Sequence, residues 1–215
     1  MEESIAMLRA AYKDGTRRII ATAHAAPGEE PFPMEAYQEN LAQLDAYCRA
    51  EGIMMELYPG CEIFYSDAVL RNLQEGKIPT LANSRYVLLE FLESVAPDTI
   101  FDAARILGNG GYVAVIAHCE RYQCLVKNPK LLGEMKAAIA VRLQMNASTV
   151  LRQKGFWQKR FVRRVLAERW IDYVATDAHD TYRRPTCLRA GYEALCACTD
   201  ETYAKAVLNG EGIFL

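Results

Sequence analysis

The chain has 215 residues, a length that suits one large domain with a substantial buried core. Hydrophobic residues make up 51% and charged residues 24%, as in ordinary globular proteins. The formal net charge of -2 for the whole chain gives no electrostatic argument for binding nucleic acid or an anionic membrane. No apolar run approaches the roughly 20 residues that a membrane span needs.

The N-terminus and the cysteines predict a cytoplasmic location. Residues 1–4 lack the basic and apolar regions of a signal peptide. The seven cysteines are an odd number and show no paired CxxC spacing, so neither a disulfide framework nor a zinc site is predicted. Reduced thiols in the cytoplasm fit this pattern.

Taken in chain order, apolar residues at helical spacing alternate with short apolar runs typical of buried strands. The predicted helices are 2–14, 34–50, 66–73, 97–107, 129–140, 154–169, 185–196 and 201–208. The predicted strands are 18–23, 53–57, 86–91, 112–117, 143–146 and 171–175. Pro59-Gly60 is interpreted as a turn after the second strand.

Regular alternation of strands and helices predicts a parallel sheet with helices outside it, in a single domain spanning 1–215. Two architectures satisfy this pattern, an open doubly wound sheet and a closed barrel. Chemically capable residues follow the C-terminal ends of most strands. Because those ends converge on one face of a barrel but spread along the edge of an open sheet, a barrel is favoured.

The same strand ends predict a metal site. All three histidines follow apolar strands, at His24, His118 and His179. If 171–179 is extended, Asp177 and His179 point to the same side, because alternate residues of an extended segment do so. Two glutamates lie near further strand ends, at Glu62 and Glu90. Mixed imidazole and carboxylate ligands suit zinc, manganese or iron, although each residue alone would equally suit a polar strand end.

Arginines accompany this set. Arg121 follows His118, and Arg184 follows His179, where bidentate guanidinium groups would bind phosphate. A second basic segment, 152–169, also contains aromatic residues. It could be interpreted as a nucleic-acid surface, but a helix with one solvated basic face is favoured because the chain is acidic overall.

Several motifs together resemble one known family. They are Ile19-Ile-Ala-Thr-Ala-His24, Tyr58-Pro-Gly-Cys-Glu62-Ile, Leu89-Glu90-Phe, Ile116-Ala-His118-Cys-Glu-Arg121-Tyr, Leu143-Gln-Met-Asn146-Ala-Ser and Ala175-Thr-Asp177-Ala-His179 with Arg184-Pro185. In this order they resemble the metal-dependent tyrosine phosphatases of bacterial capsule and exopolysaccharide loci, in the polymerase-and-histidinol-phosphatase (PHP) superfamily.

The resemblance implies a distorted (β/α)7 barrel that holds up to three divalent metals, commonly Mn²⁺. It implies hydrolysis of phosphotyrosine, typically on a partner tyrosine kinase of polysaccharide export. Glu62 would bridge two metals, with Asp177 on one and with Glu90 and His118 on the other. The resemblance assigns a third metal to His24 and His179, and phosphate binding to Arg121 and Arg184.

The chain departs from the family at its start. The family's first strand carries a His-x-His pair followed by an Asp, and all three residues are absent here. Either Met1 is an internal methionine of a longer natural protein, which is favoured, or the enzyme is short and impaired. For the chain as given, the expectation is weak activity or none, and an exposed barrel edge that invites association.

Three functions fit these sequence features. The first is a metal-dependent protein-tyrosine phosphatase. The second is a catalytically degenerate relative that binds a phosphorylated partner without turnover. The third is a phosphoesterase for small monoesters of the histidinol phosphate type.

Overall fold

The computed structural model describes residues 1–214, in which helices and strands alternate. The strands are β1 (Arg18–Ala25), β2 (Glu56–Phe64), β3 (Tyr86–Glu90), β4 (Val113–Ile116), β5 (Val141–Asn146) and β6 (Tyr173–Ala175). The helices are α1 (Glu2–Lys13), α2 (Met34–Ala50), α3 (Val69–Gln74), α4 (Pro97–Asn109), α5 (Gln123–Lys127), α6 (Lys130–Ala138), α7 (Ala147–Leu151), α8 (Gly155–Ala167), α9 (Leu188–Cys198) and α10 (Glu201–Leu208). None of the helices in this range has the length and apolar character that crossing a bilayer requires.

The six strands form one parallel sheet in the order β1-β2-β3-β4-β5-β6. This sequential order excludes a doubly wound sheet, whose strand order reverses at a switch point, and it is the order of a barrel wall. Within residues 1–214, β1 pairs only with β2 and β6 only with β5. The sheet is therefore a half-barrel that is open between β1 and β6, which confirms the prediction of a barrel lacking a strand.

Both faces of the sheet are buried at β4, as is usual for a parallel sheet. In β4, Ala114 and Ile116 belong to the main core between the sheet and the helices, whereas Val113 and Val115 belong to a smaller cluster on the inner face of the wall. Because side chains alternate between faces with a period of two, this assignment fixes which residues of each strand point inward.

The strand β2 corrects the predicted turn at Pro59-Gly60, because the strand runs unbroken through both residues. Pro59 lies in the part of β2 that pairs with β1 but not with β3, whose ladder begins at Glu62. The Tyr37 hydroxyl from α2 bridges this stretch: it accepts from the Gly60 N–H at 2.8 Å and donates to the Ala21 carbonyl at 2.8 Å. A distant side chain thus supports a segment that looks like a turn in isolation.

The predicted helices are found, with shifted ends. The helix predicted from residue 185 begins at Leu188, and the one predicted from residue 66 begins at Val69. The short helices α5 and α7 were not predicted, because five residues are too few to show a helical period. All seven cysteines are free.

Candidate metal centre

Three inward-facing positions place polar side chains at the C-terminal rim of the wall. Ile20 and Leu88 contact the inner cluster, so His24, four residues on from Ile20, and Glu90, two residues on from Leu88, share that face. His24 is directly opposite Glu62 in the β1–β2 ladder. The sequence pattern of apolar strands ending in polar residues therefore creates a polar layer above an apolar one.

This layer contains one compact group of potential ligands. Ligand atoms of His24, Glu62 and Glu90 all lie within 4.8 Å of one another. The His24 Nε2 is 3.3 Å from Glu62 Oε2. The His118 Nε2 is 3.0 Å from Glu62 Oε1 and 3.3 Å from Glu90 Oε1. The ligand atoms of His24, Glu62 and Glu90 thus surround one centre, and His118 contacts both carboxylates of that group.

The spacing of these atoms fits a cation. Neighbouring ligands at about 2.1 Å from an octahedral ion lie about 3.0 Å apart, close to the separations between His118 and the two glutamates. The mixture of imidazole nitrogen and carboxylate oxygen is the donor set of transition metals such as manganese, iron and zinc. The residues present therefore fit a divalent metal.

The same contacts set the electrostatic environment of His118. This side chain is buried, and its Nδ1 has no hydrogen-bond partner in residues 1–214. Burial lowers the pKa of His118, but the bonds to Glu62 and Glu90 outweigh burial and raise the pKa to about 9. The bond to His118 in turn lowers the pKa of Glu90, against the effect of its partial burial. The Glu62 and Glu90 carboxylates thus place negative charge beside His118, and a cation or a proton on His118 would neutralise it.

Asp177 reaches the rim by a different geometry from the one predicted. The strand β6 ends at Ala175, and Asp177 has a φ of 51°, so 171–179 is not one extended segment. The left-handed conformation turns the carboxylate towards Arg121 and Arg184, which both donate to Asp177 Oδ2. The Arg121 contact measures 2.7 Å. The extended-strand reasoning was wrong, although the residue does arrive at the same rim.

His179 lies between the two groups. Its Nδ1 is 3.6 Å from Asp177 Oδ1, and its ring centroid is 5.5 Å from that of His24. The structure therefore brings together all eight residues singled out from the sequence. They are His24, Glu62, Glu90, His118, Asp177, His179, Arg121 and Arg184.

A buried polar chain behind the site was missed from the sequence. The His118 backbone N–H donates to Gln144 Oε1, Gln144 Nε2 donates to Asn146 Oδ1 at 2.9 Å, and Asn146 Nδ2 donates to Asp177 Oδ2 at 2.7 Å. Asn146 N–H also donates to the buried Glu120 at 3.1 Å. Two polar residues at alternate positions of a buried strand, Gln144 and Asn146, were the signal that could have predicted this chain.

A cavity of about 540 Å³ adjoins the site. It is lined at the rim by His24, Glu62 and His179, and it continues down the open side of the wall between β1 and β6 to residues of α1 such as Met7 and Leu8. The metal-ligand group is therefore reached from the rim and from the open flank of the half-barrel.

Comparison with known proteins gives one consistent result. The family described as "Capsular polysaccharide synthesis, CpsB/CapC" matches residues 1–213. The tyrosine-protein phosphatase CpsB of Streptococcus pneumoniae is 31% identical over 199 residues, which cover 90% of this chain and 82% of that protein. The tyrosine-protein phosphatase YwqE of Bacillus subtilis (strain 168) is 32% identical over 182 residues, covering 85% and 71%.

The structural comparison agrees. A chain from the crystal structures of YwqE from Bacillus subtilis and CpsB from Streptococcus pneumoniae, described as unique metal-dependent tyrosine phosphatases, matches with a TM-score of 0.86 and 29% identity. The match covers 99% of this chain and 89% of that one. On its sequence, its half-barrel and its rim of imidazoles and carboxylates, the chain belongs to the CpsB/CapC family.

Proposed function

We propose that this chain is a metal-dependent protein-tyrosine phosphatase that hydrolyses phosphomonoesters on tyrosine side chains. The observation that supports this most directly is the position of the ligand group beside the arginine pair on one rim, with the Glu62 and His118 atoms 3.0 Å apart and the Arg121 and Asp177 atoms 2.7 Å apart. Relatives with 31% and 32% identity are named tyrosine-protein phosphatases.

The ligands in this proposal are the residues around the central group. Glu62 contacts both His24 and His118, and so it is the candidate bridge between two ions. His179 and Asp177 would complete neighbouring positions, and Mn²⁺ is the proposed ion because carboxylate and imidazole oxygen and nitrogen donors suit it. When bound, such ions polarise phosphoryl oxygens and lower the pKa of a coordinated water.

The arginines bind and orient the phosphoryl group. Each guanidinium has five N–H donors and uses only some of them on Asp177, so the remaining donors are free for phosphate oxygens. Asp177 holds both groups at the same point, and Asn146 fixes the Asp177 carboxylate from behind. The reacting ester would thus meet two fixed positive charges that match the charge on its oxygens.

The substrate is proposed to be a phosphotyrosine protein in the cytoplasm, with a bacterial tyrosine kinase of polysaccharide export as the candidate partner. This partner is proposed because the family that matches the chain is described by capsular polysaccharide synthesis. An ester on a tyrosine extends far enough from its backbone to enter a rim that is open to solvent, where His24 is 61% exposed.

A non-catalytic relative that binds phosphoprotein is the second candidate. The observation in its favour is that Asp177 Oδ2 already accepts three donors, from Arg121, Arg184 and Asn146. An acid engaged in this way is a poorer metal ligand, whereas the arginine pair would still bind phosphate. A small-monoester phosphoesterase of the histidinol phosphate type uses the same residues and differs only in its substrate.

An assay on three substrates separates these candidates, and a substitution at Glu62 tests the metal site. The purified chain is freed of metal, supplied with Mn²⁺, and assayed on an aryl phosphate, histidinol phosphate and a phosphotyrosine peptide. Because the family's His-x-His pair and the Asp after it are absent from this chain, manganese-dependent turnover is expected to be weak. Glu62→Gln should lower it further, by roughly 100-fold or more, because loss of even an outer-sphere partner costs about 10- to 100-fold. Glu56→Gln, on the same strand but bonded to Tyr58, is the matched control.

The outcomes are distinct. Preference for the phosphopeptide supports the tyrosine phosphatase, and preference for histidinol phosphate supports the small-molecule enzyme. Tight phosphopeptide binding without turnover in the metal-loaded chain assigns the non-catalytic function and overturns the proposal.

A further inference from the structure

The outward face of α8 carries exposed aromatic rings and arginines together. The core side of this helix consists of Phe161, Val162, Val165 and Leu166. At 3.6 residues per turn, the opposite side contains positions 156, 157, 160, 163, 164 and 167. Phe156 is 72% exposed and Trp157 is 50% exposed, although large aromatic residues normally lie in the core. This stripe is therefore a surface with both apolar and cationic character.

The arginines of the stripe form one wall of a cavity of about 550 Å³. Its other wall is the connection between α5 and α6, which contributes Lys127 and Lys130. The full lining is Lys127, Asn128, Pro129, Lys130, Arg160, Arg163, Arg164 and Ala167, with no acidic residue among these described residues. Five cations thus face one concave space.

Neighbouring carboxylates do little to neutralise this charge. Arg164 pairs with Glu168 at 3.0 Å, but in residues 1–214 no carboxylate lies within 4.0 Å of the side-chain nitrogens of Lys127, Lys130, Arg160 or Arg163. The net charge of -2 does not reveal this local excess of positive charge, because it sums the charges of the whole chain. Uncompensated like charges around a concavity raise the local concentration of anions.

The Phe156 and Trp157 rings indicate which class of anionic partner fits this surface. Phe156 and Trp157 pack edge to face at 5.5 Å at the first turn of α8, and the Arg160 guanidinium lies over the Trp157 ring at 5.8 Å. Stacking of nucleic-acid bases needs open ring faces, whereas these rings pack against each other and against Arg160. Rings at one end beside a cationic stripe are instead typical of helices that lie on a lipid surface, where the rings enter the headgroup region and the cations meet phosphates.

We propose that this basic-aromatic surface, made by the α8 stripe and Lys127–Lys130, binds a bilayer containing anionic lipid. α8 starts at the rim, where β5 ends, and runs back to the start of β6. The rings therefore lie at the same end of the half-barrel as the ligand group. Binding would hold the candidate active site close to the membrane surface, within reach of proteins attached there. This inference does not depend on catalysis.

The test uses the full chain with Trp170→Phe, which leaves Trp157 as the single tryptophan. It is mixed with vesicles of phosphatidylcholine alone or of phosphatidylcholine with phosphatidylglycerol. With the anionic vesicles, we expect co-flotation and a shift of Trp157 emission to shorter wavelength, both weakened by added salt. Arg160→Gln with Arg163→Gln should weaken binding roughly 30-fold, from a roughly five-fold loss per cation.

The matched control is Arg49→Gln with Arg71→Gln, which removes the same charge from arginines that are 74% and 79% exposed elsewhere. This pair should bind nearly as well as the parent, and circular dichroism should show all variants folded. Absent binding, equal binding to both kinds of vesicle, or equal loss in the control pair would each overturn the proposal. So would a soluble acidic phosphopeptide that binds through Arg160 and Arg163 while vesicles do not, because it assigns the surface to a protein partner.

Discussion

At the scale of single residues, the site depends on two strained backbone positions. His118 has a φ of 30° and Asp177 a φ of 51°, a region that residues with a side chain rarely adopt. Each such position costs on the order of 1–3 kcal/mol and persists only where its surroundings enforce it. The Gln144–Asn146 chain provides that enforcement, because it bonds the His118 backbone at one end and the Asp177 carboxylate at the other.

The fork geometry of the two arginines makes a first prediction. Arg121→Lys and Arg184→Lys keep the positive charge but lose the paired N–H donors, so kcat/KM on a phosphotyrosine peptide should fall about 10- to 100-fold in each, since a bond to a charged group contributes about 1.5–3 kcal/mol. Metal content should not change. Arg183→Lys, whose side chain is exposed beside the site, is the control and should retain nearly full activity. Full activity in all three would show that charge alone suffices.

The raised pKa of His118 makes a second prediction, for the metal-free protein. Protonated His118 stabilises the fold through Glu62 and Glu90, and its pKa of about 9 exceeds the unfolded value of about 6.5. This stability is complete below pH 6.5 and is lost as the pH rises through 9, by roughly 3 kcal/mol. Denaturant unfolding of the metal-free chain between pH 6 and about 9.5 measures it.

Two comparisons isolate that effect. His118→Gln should flatten the pH dependence, whereas His179→Gln, at an exposed position, should leave it in place. Saturating Mn²⁺ should also flatten it, because a coordinated imidazole is neutral and no longer titrates. If stability in the parent protein does not fall with pH, the ion pair with Glu62 and Glu90 contributes little to the fold.

At the scale of elements, the contact between β1 and β2 depends on a residue without a side chain. A Cβ on Gly60 would lie 2.4 Å from Ile20 Cγ2 and 3.2 Å from Leu81 Cδ2. These inner-face atoms support the layer directly beneath His24 and Glu62. The close approach of the two strands is therefore part of what sets the distance between the two ligands.

Gly60→Ala should accordingly destabilise the protein by about 1–3 kcal/mol, the usual cost of overpacking, as measured by the free energy of unfolding in urea. Ile20→Ala removes the clashing methyl group, so adding it to Gly60→Ala should cost less than it does in the parent chain. Gly108→Ala is the matched control: its Cβ would meet nothing within 4 Å, and it should be neutral or mildly stabilising. Additive costs for Gly60 and Ile20 would contradict the contact.

At the scale of the whole molecule, the half-barrel has a firm centre and two open edges. β4 is buried throughout and pairs with a strand on each side, whereas β1 and β6 each have one free edge in the described chain. A free edge exposes backbone donors and acceptors and offers a template for association. Stability should therefore be distributed unevenly across the sheet.

Amide hydrogen exchange provides the measurement. We expect amides of Val113–Ile116 to exchange only on global unfolding, and amides of Tyr173–Ala175 and the free edge of Arg18–Ala25 to exchange through local opening with a lower free energy. The contrast should persist at low protein concentration, where association through the edges is negligible. Uniform protection across all six strands would mean that the open side is closed in solution.

Much of this architecture was predictable because it is encoded locally. Buried parallel strands appear as short apolar runs, and the polar residues that follow them, such as His24 and His118, identify the rim. The errors have a tertiary cause. Pro59-Gly60 resembles a turn in the sequence, but the Gly60 N–H bonds to the distant Tyr37 hydroxyl and the segment stays in the strand. Asp177 resembles the continuation of a strand, but its carboxylate bonds to Arg121 and Arg184 and its backbone leaves the extended conformation. The prediction of a helix with one solvated basic face is confirmed for α8, because Arg160, Arg163 and Arg164 are exposed.

The cavity that joins the rim to the unpaired sides of β1 and β6 affects how quickly an ion could leave. Water and small chelators can approach His24 and Glu62 laterally, without any strand separating from its neighbour. A cation held there would be thermodynamically bound yet kinetically labile, exchanging with the surrounding pool far faster than the protein unfolds. In a half-barrel with these open edges, the identity of the bound metal would then follow the supply of free ions rather than the order in which ions were first captured.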